Sequence, residues 1–277
     1  MKLGKTKRFA KKSLGQNFLV DQNYVEKIIA ALDAGSNETI VEIGPGRGAL
    51  TKHLVEKAEK VFAIEIDREL VPVLQEEFSG CENFHLIEKD ALEIDFGSLL
   101  ALQTSPPKTK LIANLPYYIS TAILQHLIRD RNAFSSLVLM LQREVVDRIT
   151  ADTATKERGF LTVLIEAYFG TEKLFDVPPN AFRPAPKIWS SVVRLVPKTE
   201  EGIKDDKVFR ELVSLGFAQK RKTILNNIKN AQNDLAEAIE NLGGAREFLR
   251  MADIAPTLRA ESLELSKWVR MAKLVSK

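Results

Sequence analysis

The chain's most suggestive chemistry lies in four residues that follow the apolar stretch 111–113: Asn114, Leu115, Pro116 and Tyr117. Their types suit attack by an amino nitrogen. The exocyclic amine of a nucleobase is a poor nucleophile because its lone pair is delocalised into the ring. An amide oxygen and a backbone carbonyl that accept hydrogen bonds from this amine draw its nitrogen toward tetrahedral geometry, while an aromatic face holds the ring. A strand that ends in a proline turn with a half-buried tyrosine is the alternative interpretation.

Strands alternating with helices are expected to position these residues. Residues 24–32 have apolar side chains at helical spacing, and 39–43 form a short β-rich run that ends at Gly44. Further apolar runs lie at 61–64, 84–87, 111–113 and 137–141, with amphipathic stretches between them near 53, 70–78 and 119–128. This alternation predicts a parallel sheet covered on both faces. Residues 166–177 and 190–196 predict two further strands, joined by the proline-rich segment 177–186.

A glycine-rich turn follows the first of these strands, with the sequence Glu-Ile-Gly-Pro-Gly-Arg-Gly at 42–48. Glycines at such a turn let a ligand approach the backbone closely. Gly44, Gly46 and Ala49 fit the dinucleotide fingerprint in its G-x-G-x-x-A form, and Glu65 ends the next strand at a distance suited to a ribose hydroxyl. The turn alone therefore fits either NAD or S-adenosylmethionine.

Three details favour S-adenosylmethionine. Glu42 precedes the turn, where its charge attracts a cationic amino-acid group, and Gly48 adds a third glycine. Asp90 and Ala91 end the third predicted strand, and the Asp90 carboxylate can accept a hydrogen bond from an adenine amino group. A helix N-cap is the alternative role for Asp90, and a plain surface position is the alternative for Glu65.

Composition bounds the class of protein. The 277 residues are 45% hydrophobic and 28% charged, which is ordinary for a globular chain and long enough for two domains. No apolar run reaches the roughly 18 residues of a membrane span, and the basic N-terminus lacks a following hydrophobic stretch, so we expect a cytoplasmic protein. Cys81 is the single cysteine, which excludes an internal disulfide, and the histidines at 53, 85 and 126 have no metal-ligand spacing.

The net charge of +3 conceals an uneven distribution of basic residues. A basic arm precedes the first acidic residue, Asp21, and consists of Lys2, Lys5, Lys7, Arg8, Lys11 and Lys12. Two later clusters consist of Arg183, Lys187, Arg194 and Lys198, and of Lys220, Arg221 and Lys222. Such clusters are typical of proteins that bind a polyanion such as RNA, although a solvated face explains any one of them.

Composition changes after about residue 198, where the polar, acidic stretch 199–206 begins a segment that predicts only helices. We therefore predict a sheet domain over 1–198 and a helical domain over 199–277. The apolar stripe at 209, 212, 213 and 217 and the one at 265, 268, 269 and 272 predict core faces. Because no apolar stripe then stays exposed, we expect a monomer.

The motifs together resemble the family of ribosomal-RNA adenine N6,N6-dimethyltransferases that act on the small subunit. The blocks that carry the resemblance lie in the same order and span most of the chain: 12–19 (Lys-Ser-Leu-Gly-Gln-Asn-Phe-Leu), 42–48, Glu65, Asp90 with Ala91, 114–117, and 182–191 (Phe-Arg-Pro-Ala-Pro-Lys-Ile-Trp-Ser-Ser). The resemblance implies an α/β fold, with a Rossmann-like class I methyltransferase sheet over 1–198 and a small all-helical C-terminal domain that contacts RNA. Position 118 is a tyrosine, whereas many relatives have asparagine after the 114–117 block, so one supporting contact implied at this position is in doubt.

The resemblance also implies a reaction and a set of site residues. Two methyl groups pass from S-adenosylmethionine, leaving S-adenosylhomocysteine, to N6 of each of two adjacent adenosines in a 3'-terminal hairpin of small-subunit ribosomal RNA, in a pre-assembled subunit during biogenesis. No metal is implied. The implied donor-binding residues are Gln16, Asn17, Leu19, Glu42, Gly44, Gly46, Glu65, Ile66, Asp90, Ala91 and Asn114. The implied catalytic residues are Asn114, Leu115, Pro116, Tyr117 and Phe182, with Tyr117 and Phe182 sandwiching the target base, and the RNA-binding residues are Arg183, Lys187, Lys220, Arg221 and Lys222.

Three alternative functions stay open at this point. An NAD-dependent oxidoreductase needs an acid that handles the hydride acceptor, and the chain offers no obvious candidate. A ribosome-assembly or nucleic-acid-binding protein can retain the fold without catalysis, although the intact residues 114–117 argue against lost activity. The related antibiotic-resistance enzymes methylate large-subunit RNA, but the basic segment 216–222 and the block 182–191 look more like the small-subunit family.

Overall fold

The computed structural model describes residues 15–101, 109–198 and 202–276, so the basic arm at 2–12 lies outside the described residues. The strands in these ranges are β1 (Phe18–Leu19), β2 (Thr39–Ile43), β3 (Lys60–Glu65), β4 (Phe84–Glu88), β5 (Thr109–Asn114), β6 (Ser136–Gln142), β7 (Phe169–Val177), β8 (Phe182–Arg183) and β9 (Ser190–Pro197). The helices in the same ranges are α1 (Gln22–Leu32), α2 (Thr51–Leu54), α3 (Val71–Glu77), α4 (Phe96–Ala101), α5 (Ser120–Arg129), α6 (Arg143–Ile149), α7 (Phe160–Tyr168), α8 (Asp206–Phe217), α9 (Ile224–Ile228), α10 (Asn233–Asn241), α11 (Gly244–Met251) and α12 (Leu265–Val275).

The chain folds as two compact units. The first unit consists of Met1–Val146 and Glu172–Pro197, and the second consists of Asp147–Thr171 and Lys198–Lys277. Residues 147–171, which the sequence assigns to the sheet domain, thus belong with the C-terminal helices. A change in composition marks a boundary between contiguous segments. It therefore does not show that an internal segment packs with a distant part of the chain. The functional division into 1–198 and 199–277 stays a prediction.

The first unit is built on a mostly parallel sheet, as predicted. Its seven strands lie in the order β4-β3-β2-β5-β6-β9-β7 among the described residues. The pairs that link β4, β3, β2, β5 and β6 are all parallel, and β9 is antiparallel to β6. The predicted strands at 39–43, 61–64, 84–87, 111–113, 137–141 and 190–196 all form, within one or two residues of their expected ends.

Burial along the strands follows from their place in the sheet. All five residues of β2 are buried, as expected for a central parallel strand with both faces covered. β4 lies at an edge and has no fully buried residue. Asp21 caps the N-terminus of helix α1, where its side chain accepts a hydrogen bond from the Asn23 backbone N–H, and the helix turns its apolar face to the core. The sheet and α1 thus share one core, which also includes Leu19 and Phe182.

The predicted strand at 166–177 is wrong at its beginning. Helix α7 continues to Tyr168, and strand β7 begins only at Phe169. Seven of the nine residues of α7 are buried, so its apolar side chains form a nearly continuous run rather than a stripe. A short apolar run of this kind does not distinguish a buried helix from a buried strand by its periodicity.

The second unit packs around aromatic side chains. Phe209 of α8 and Trp268 of α12 are fully buried, and Phe217 stacks on Trp268 with ring centroids 5.6 Å apart. The predicted apolar faces of these two helices therefore do contribute to a core. Arg158 is also buried and donates to the Glu166 carboxylate at 2.6 Å and to the Leu263 carbonyl at 3.2 Å. Within 202–276, every regular element is helical.

No helix in the described ranges is both long enough and apolar enough to cross a membrane.

The sheet of the first unit provides the frame for the site, and its most constrained part is the glycine turn after β2. Gly44, Gly46 and Gly48 have φ angles of +70°, +60° and +74°. Glycine adopts this left-handed region at little cost, whereas other residues are strained there.

We predict that Gly48→Ala lowers the free energy of unfolding by about 1–3 kcal/mol, the usual cost of a strained backbone position. A Cβ at Gly48 would lie 2.8 Å from the Phe78 ring, in addition to the positive φ. Gly80→Ala is the matched control, because a Cβ at this position has no neighbour within 4 Å. Its free energy of unfolding should differ from that of the wild-type protein by no more than about 0.5 kcal/mol. Urea unfolding of both variants measures the difference, and equal stabilities would contradict the constraint.

Candidate functional site

The register of the parallel strands brings three distant residues into one row. Ile43 lies opposite Ile64 on one side and opposite Ala113 on the other. The residues that follow each of these, Gly44, Glu65 and Asn114, therefore meet at the carboxyl edge of the sheet. Ligands of open α/β sheets bind at this edge.

A cavity of about 160 Å³ opens at this point of the first unit. Among the predicted site residues, its lining includes Gln16, Asn17, Gly44, Gly46, Glu65, Ile66, Asp90, Ala91, Asn114, Leu115, Pro116, Tyr117 and Phe182. Leu19 and Glu42 do not line it. Lining residues that the sequence analysis did not assign include Phe18, Lys89, Tyr118 and Ile119. The structure thus brings together residues that are up to 167 positions apart, from Gly15 to Phe182.

The glycine turn forms one wall of the cavity and is fixed by the neighbouring strand. The Gly44 N–H donates to the Ile64 carbonyl at 2.9 Å, and the Gly46 N–H donates to Glu65 Oε2 at 3.1 Å. A Cβ at Gly46 would lie 3.2 Å from the Phe18 ring, so a side chain there would crowd the cavity wall. The turn therefore presents bare backbone to a ligand, which fits the methionine part of S-adenosylmethionine.

Glu65 provides acceptors at the end of β3. Its Oε1 accepts from the Asp67 backbone N–H at 2.8 Å, and its Oε2 accepts from Gly46. Burial raises the pKa of this carboxyl above its ordinary value, and these two hydrogen bonds act in the opposite direction. A carboxylate has about four acceptor positions, so these backbone N–H donors do not exhaust it and it can still accept from a ribose hydroxyl.

Asp90 caps a short turn and also lines the cavity, and its contact with adenine stays a prediction. Its Oδ1 accepts from the Leu92 backbone N–H at 2.9 Å and caps the short 3₁₀ turn Ala91–Glu93. The residue also lines the cavity beside Ala91. The cap orients the carboxylate, and its other oxygen is placed to accept from a ligand amino group.

The side-chain amide of Asn114 has a defined orientation. Its Nδ2 donates to the backbone carbonyl of Asn17 at 3.2 Å. Because the NH₂ end is used in this way, the Oδ1 end is the acceptor that the side chain offers. The next acceptor along the chain is the Leu115 carbonyl, since the carbonyls of Pro116 and Tyr117 already accept from Ile119 N–H and Ser120 Oγ within the described chain.

Two aromatic rings line the same cavity. Tyr117 is half-buried, and its hydroxyl lies 3.0 Å from Ser190 Oγ. Burial raises the pKa of the Tyr117 phenol, and the Ser190 hydrogen bond acts in the opposite direction, so the phenol is neutral at physiological pH. Phe182 is only 1% exposed, since β8 pairs it with Leu19 and the core packs against it.

The segment before α1 closes one side of the cavity. Gln16 Nε2 donates to Asp67 Oδ2 at 2.7 Å, and Asn17 Nδ2 donates to the Gly15 carbonyl. Phe18 lines the cavity and lies under the Arg47 guanidinium, whose carbon is 4.7 Å from the ring centroid. Successive residues of a strand point to opposite faces, so Leu19 turns into the core. This alternation is the signal that would have identified Phe18.

Glu42 lies under the glycine turn rather than in the cavity. Its side chain is 2% exposed, and Thr51 Oγ1 donates to its Oε2 at 2.7 Å. Desolvation is the main cause that raises its pKa from 4.5 to about 7, with a smaller contribution from the negative charge of Glu65 and a partly opposing one from Thr51. The geometry supports a role in holding the turn to α2, and the predicted contact with the donor stays a prediction.

The predicted RNA-binding residues are exposed and fall in both units. Arg183 of β8 donates to the Asn180 and Phe182 carbonyls, and Lys187 is exposed in the same unit. Lys220, Arg221 and Lys222 are exposed after α8 in the second unit, where Lys220 donates to the Lys156 carbonyl. No group of three or more His, Cys, Asp or Glu residues in the described part of the chain is arranged to hold a metal ion.

Comparisons with known proteins agree on one family. A family model described as ribosomal RNA adenine dimethylase matches residues 8–274. The ribosomal RNA small subunit methyltransferase A of Clostridium botulinum (strain Loch Maree / Type A3) is 41% identical over 266 residues, which cover 95% of this chain and 93% of the relative. That of Hahella chejuensis is 41% identical over 268 residues, with coverage of 96% and 93%.

Solved structures show the same fold. A dimethyladenosine transferase from Plasmodium falciparum has a TM-score of 0.74 at 24% identity, covering 92% of this chain and 95% of its own. The 23S rRNA methyltransferase ErmE has a TM-score of 0.68 at 23% identity, covering 94% and 99%. These likenesses agree with the predicted α/β Rossmann-like methyltransferase class.

We predict that Glu42 makes the protein less stable as pH rises from 4.5 to about 7. Between pH 4.5 and about 7, the native carboxyl keeps a proton that the unfolded chain has released, so stability falls through this window. A shift of this size corresponds to roughly 3 kcal/mol in total. Glu42→Gln keeps an acceptor for Thr51 without a titrating proton. Urea unfolding of both proteins at several pH values should show curves that diverge, and parallel curves would contradict the prediction.

Proposed function

The chain belongs to the ribosomal RNA adenine dimethylase family, and from this premise we propose that it transfers two methyl groups from S-adenosylmethionine to N6 of each of two adjacent adenosines of small-subunit ribosomal RNA. The proposal places these adenosines in a 3'-terminal hairpin and the reaction within subunit biogenesis. The names of the curated relatives at 41% identity support the small subunit as substrate. The fold likeness does not bear on this choice, because a 23S rRNA methyltransferase shares the fold.

The observation that carries the proposal is the orientation of Asn114. With Nδ2 held by the Asn17 carbonyl, Oδ1 accepts one hydrogen from the target amine, and the Leu115 carbonyl accepts the other. These two acceptors turn the lone pair of the nitrogen away from conjugation with the ring and toward the donor. Orientation of two reactants in this way can supply about 7–11 kcal/mol of the lowering of the barrier.

The aromatic residues hold the base once it has left its stack. Extruding a base costs a few kcal/mol. Stacking on an aromatic side chain contributes about 1–3 kcal/mol per base, so Tyr117 and Phe182 offset much of this cost. Phe182 lines the cavity but is almost fully buried, so the half-buried Tyr117 offers the more accessible ring for stacking.

The cavity residues fit the donor by their chemistry. The bare backbone at Gly44 and Gly46 accommodates the methionine part, Glu65 accepts from the ribose hydroxyls and Asp90 accepts from the adenine amine. S-adenosylmethionine supplies a methyl group that is already activated on a positively charged sulfur. Gln16 and Asn17 close over the ligand from the segment before α1.

No strong base is required in the site. The amine proton becomes acidic only as the nitrogen is methylated, and it can then leave to water or to the acceptors that hold it. The Tyr117 phenol, with its raised pKa, serves as a neutral ring rather than a base. The protein thus contributes mainly position and shape.

The substrate in this proposal is ribosomal RNA within a pre-assembled small subunit. Exposed basic residues in both units support contact with phosphates: Arg183, Lys187, Lys220, Arg221 and Lys222. A monomeric state and residence in the cytoplasm stay predictions from the sequence.

Transfer of labelled methyl groups to unmethylated small subunits, with large subunits in parallel, tests the proposed function. N6,N6-dimethyladenosine in small-subunit RNA alone is the expected product. Label in large-subunit RNA alone would assign the chain to the resistance-type enzymes, and the absence of label in both would favour a binding protein without catalysis.

In the same assay, Asn114→Ala should lower turnover by about 100-fold or more, because the amine loses its positioning acceptor. Calorimetry should show nearly unchanged affinity for S-adenosylmethionine, since the turn, Glu65 and Asp90 are intact. A donor affinity that falls in parallel with turnover would refute this separation of roles.

We predict that the ring of Tyr117 matters more than its hydroxyl. Tyr117→Ala should lower methylation by about 5- to 150-fold through lost stacking. Tyr117→Phe keeps the ring and should lose less than about tenfold. Ser190→Ala is the matched control, because it removes the same hydroxyl contact from the other side. Equal losses in the alanine and phenylalanine variants would assign the effect to the hydroxyl.

A further inference from the structure

Two large apolar side chains stay exposed directly beside the cavity. Trp189 is 44% exposed and Ile188 is 42% exposed. Neither residue lines the cavity, yet the next residue, Ser190, contacts the Tyr117 hydroxyl at 3.0 Å. Exposed apolar residues scattered singly need no explanation, but a tryptophan and an isoleucine together, one residue from a site contact, indicate a surface with a partner.

Arg143 adds a positive charge beside these two apolar side chains. The pairing of Gln142 with Ser190 continues as a hydrogen bond from the Arg143 backbone N–H to the Trp189 carbonyl at 3.0 Å. The guanidinium carbon of Arg143 lies 6.0 Å from the centroid of the Trp189 ring. Two other charged residues lie nearby. Asp176 interacts electrostatically with Arg143, and Lys173 forms a salt bridge with Asp176 at 3.1 Å.

We infer that Trp189 and Arg143 form a second RNA subsite, at which the base of a nucleotide next to the target adenosine stacks on the Trp189 ring and its phosphate lies near the Arg143 guanidinium. The inference rests on the proposed function. The Arg143 guanidinium lies over one face of the Trp189 ring, so the base stacks on the other face. An aromatic face together with a cation is the combination that binds unstacked bases and their backbone. An acidic partner alone would not need the ring, and an apolar partner alone would not need the cation.

The distance between the two subsites suits neighbouring nucleotides. Asn114 lies opposite Met140 of β6, and two residues further along, Gln142 ends the strand and pairs with Ser190, the residue after Trp189. At about 3.3 Å per residue, this displacement is about 7 Å along the strand direction. Such a distance is within the span of adjacent nucleotides in a single strand whose bases have been pulled apart. Trp189 would then hold the neighbour while Asn114 and Tyr117 hold the target.

Methylation kinetics with unmethylated small subunits test this subsite. Trp189→Ala should raise KM by about 5- to 150-fold, the loss expected for one stacked base, with little change in kcat. Trp189→Phe keeps a stacking face and should recover most of the loss. Val196→Ala is the matched control, because Val196 has the same 44% exposure but lies near the far end of β9, the strand that Trp189 precedes. A KM for Trp189→Ala equal to that of the control would overturn the inference.

Donor binding separates a subsite from a structural role. Calorimetry with S-adenosylmethionine should give the same affinity for Trp189→Ala as for the wild-type protein, because Trp189 does not line the donor cavity. A lowered donor affinity would show that the substitution disturbs the site itself, and it would overturn the assignment.

Salt dependence distinguishes RNA from a ribosomal protein as the contact. Arg143→Ala should raise KM and reduce the slope of log affinity against log salt by about 0.7, the value for one phosphate contact on a single strand. A raised KM with an unchanged slope would point to a protein contact and overturn the RNA subsite. Wild-type protein that methylates no small subunits would refute the proposed function and this inference together, whereas normal wild-type activity with a silent Trp189→Ala refutes this inference alone.

Discussion

Parallel pairing of β2 with β3 on one side and β5 on the other is the constraint on which the site depends. It fixes Gly44, Glu65 and Asn114 in one row at the edge where the polar ends of the strands emerge. If one strand shifted its pairing by one residue, the side chains of that strand would turn to the opposite face of the sheet. The hydrogen bond from Gly46 to Glu65 then ties the glycine turn to the neighbouring strand. The same frame thus positions the groups proposed to bind the donor and the Asn114 amide proposed to orient the target amine.

The segment before α1 completes what the sheet begins. Its Asn17 carbonyl receives the Asn114 amide, so an interaction between residues 97 positions apart decides which end of that amide faces the target. Pairing of β1 with β8 brings Phe182 to the same segment. In the proposed function, the donor side and the base side of the cavity are therefore coupled through one short stretch of chain. Motion of this stretch would affect donor binding and base positioning together.

The sequence was sufficient for features that depend on local pattern. Strands of the central sheet, the turn at 42–48 and the polar residues that end β3 and β5 follow from apolar runs, glycines and the residues that interrupt them. Features set by distant contacts were not accessible in this way. The sequence predicts Leu19 rather than Phe18 at the cavity, gives no sign that Glu42 is buried beside Thr51, and predicts strand at 166–168, where helix α7 continues. Each of these depends on which neighbour covers a residue, and a linear pattern does not record that.

A crystal structure of the protein with S-adenosylhomocysteine would show whether the register of the sheet builds the donor site. We expect the amino-acid part against Gly44, the ribose hydroxyls on the Glu65 carboxylate and the adenine amine on Asp90, with the sulfur toward Asn114. A ligand bound with its adenine toward Asn114, or bound outside this cavity, would show that the register does not build the donor site in this way.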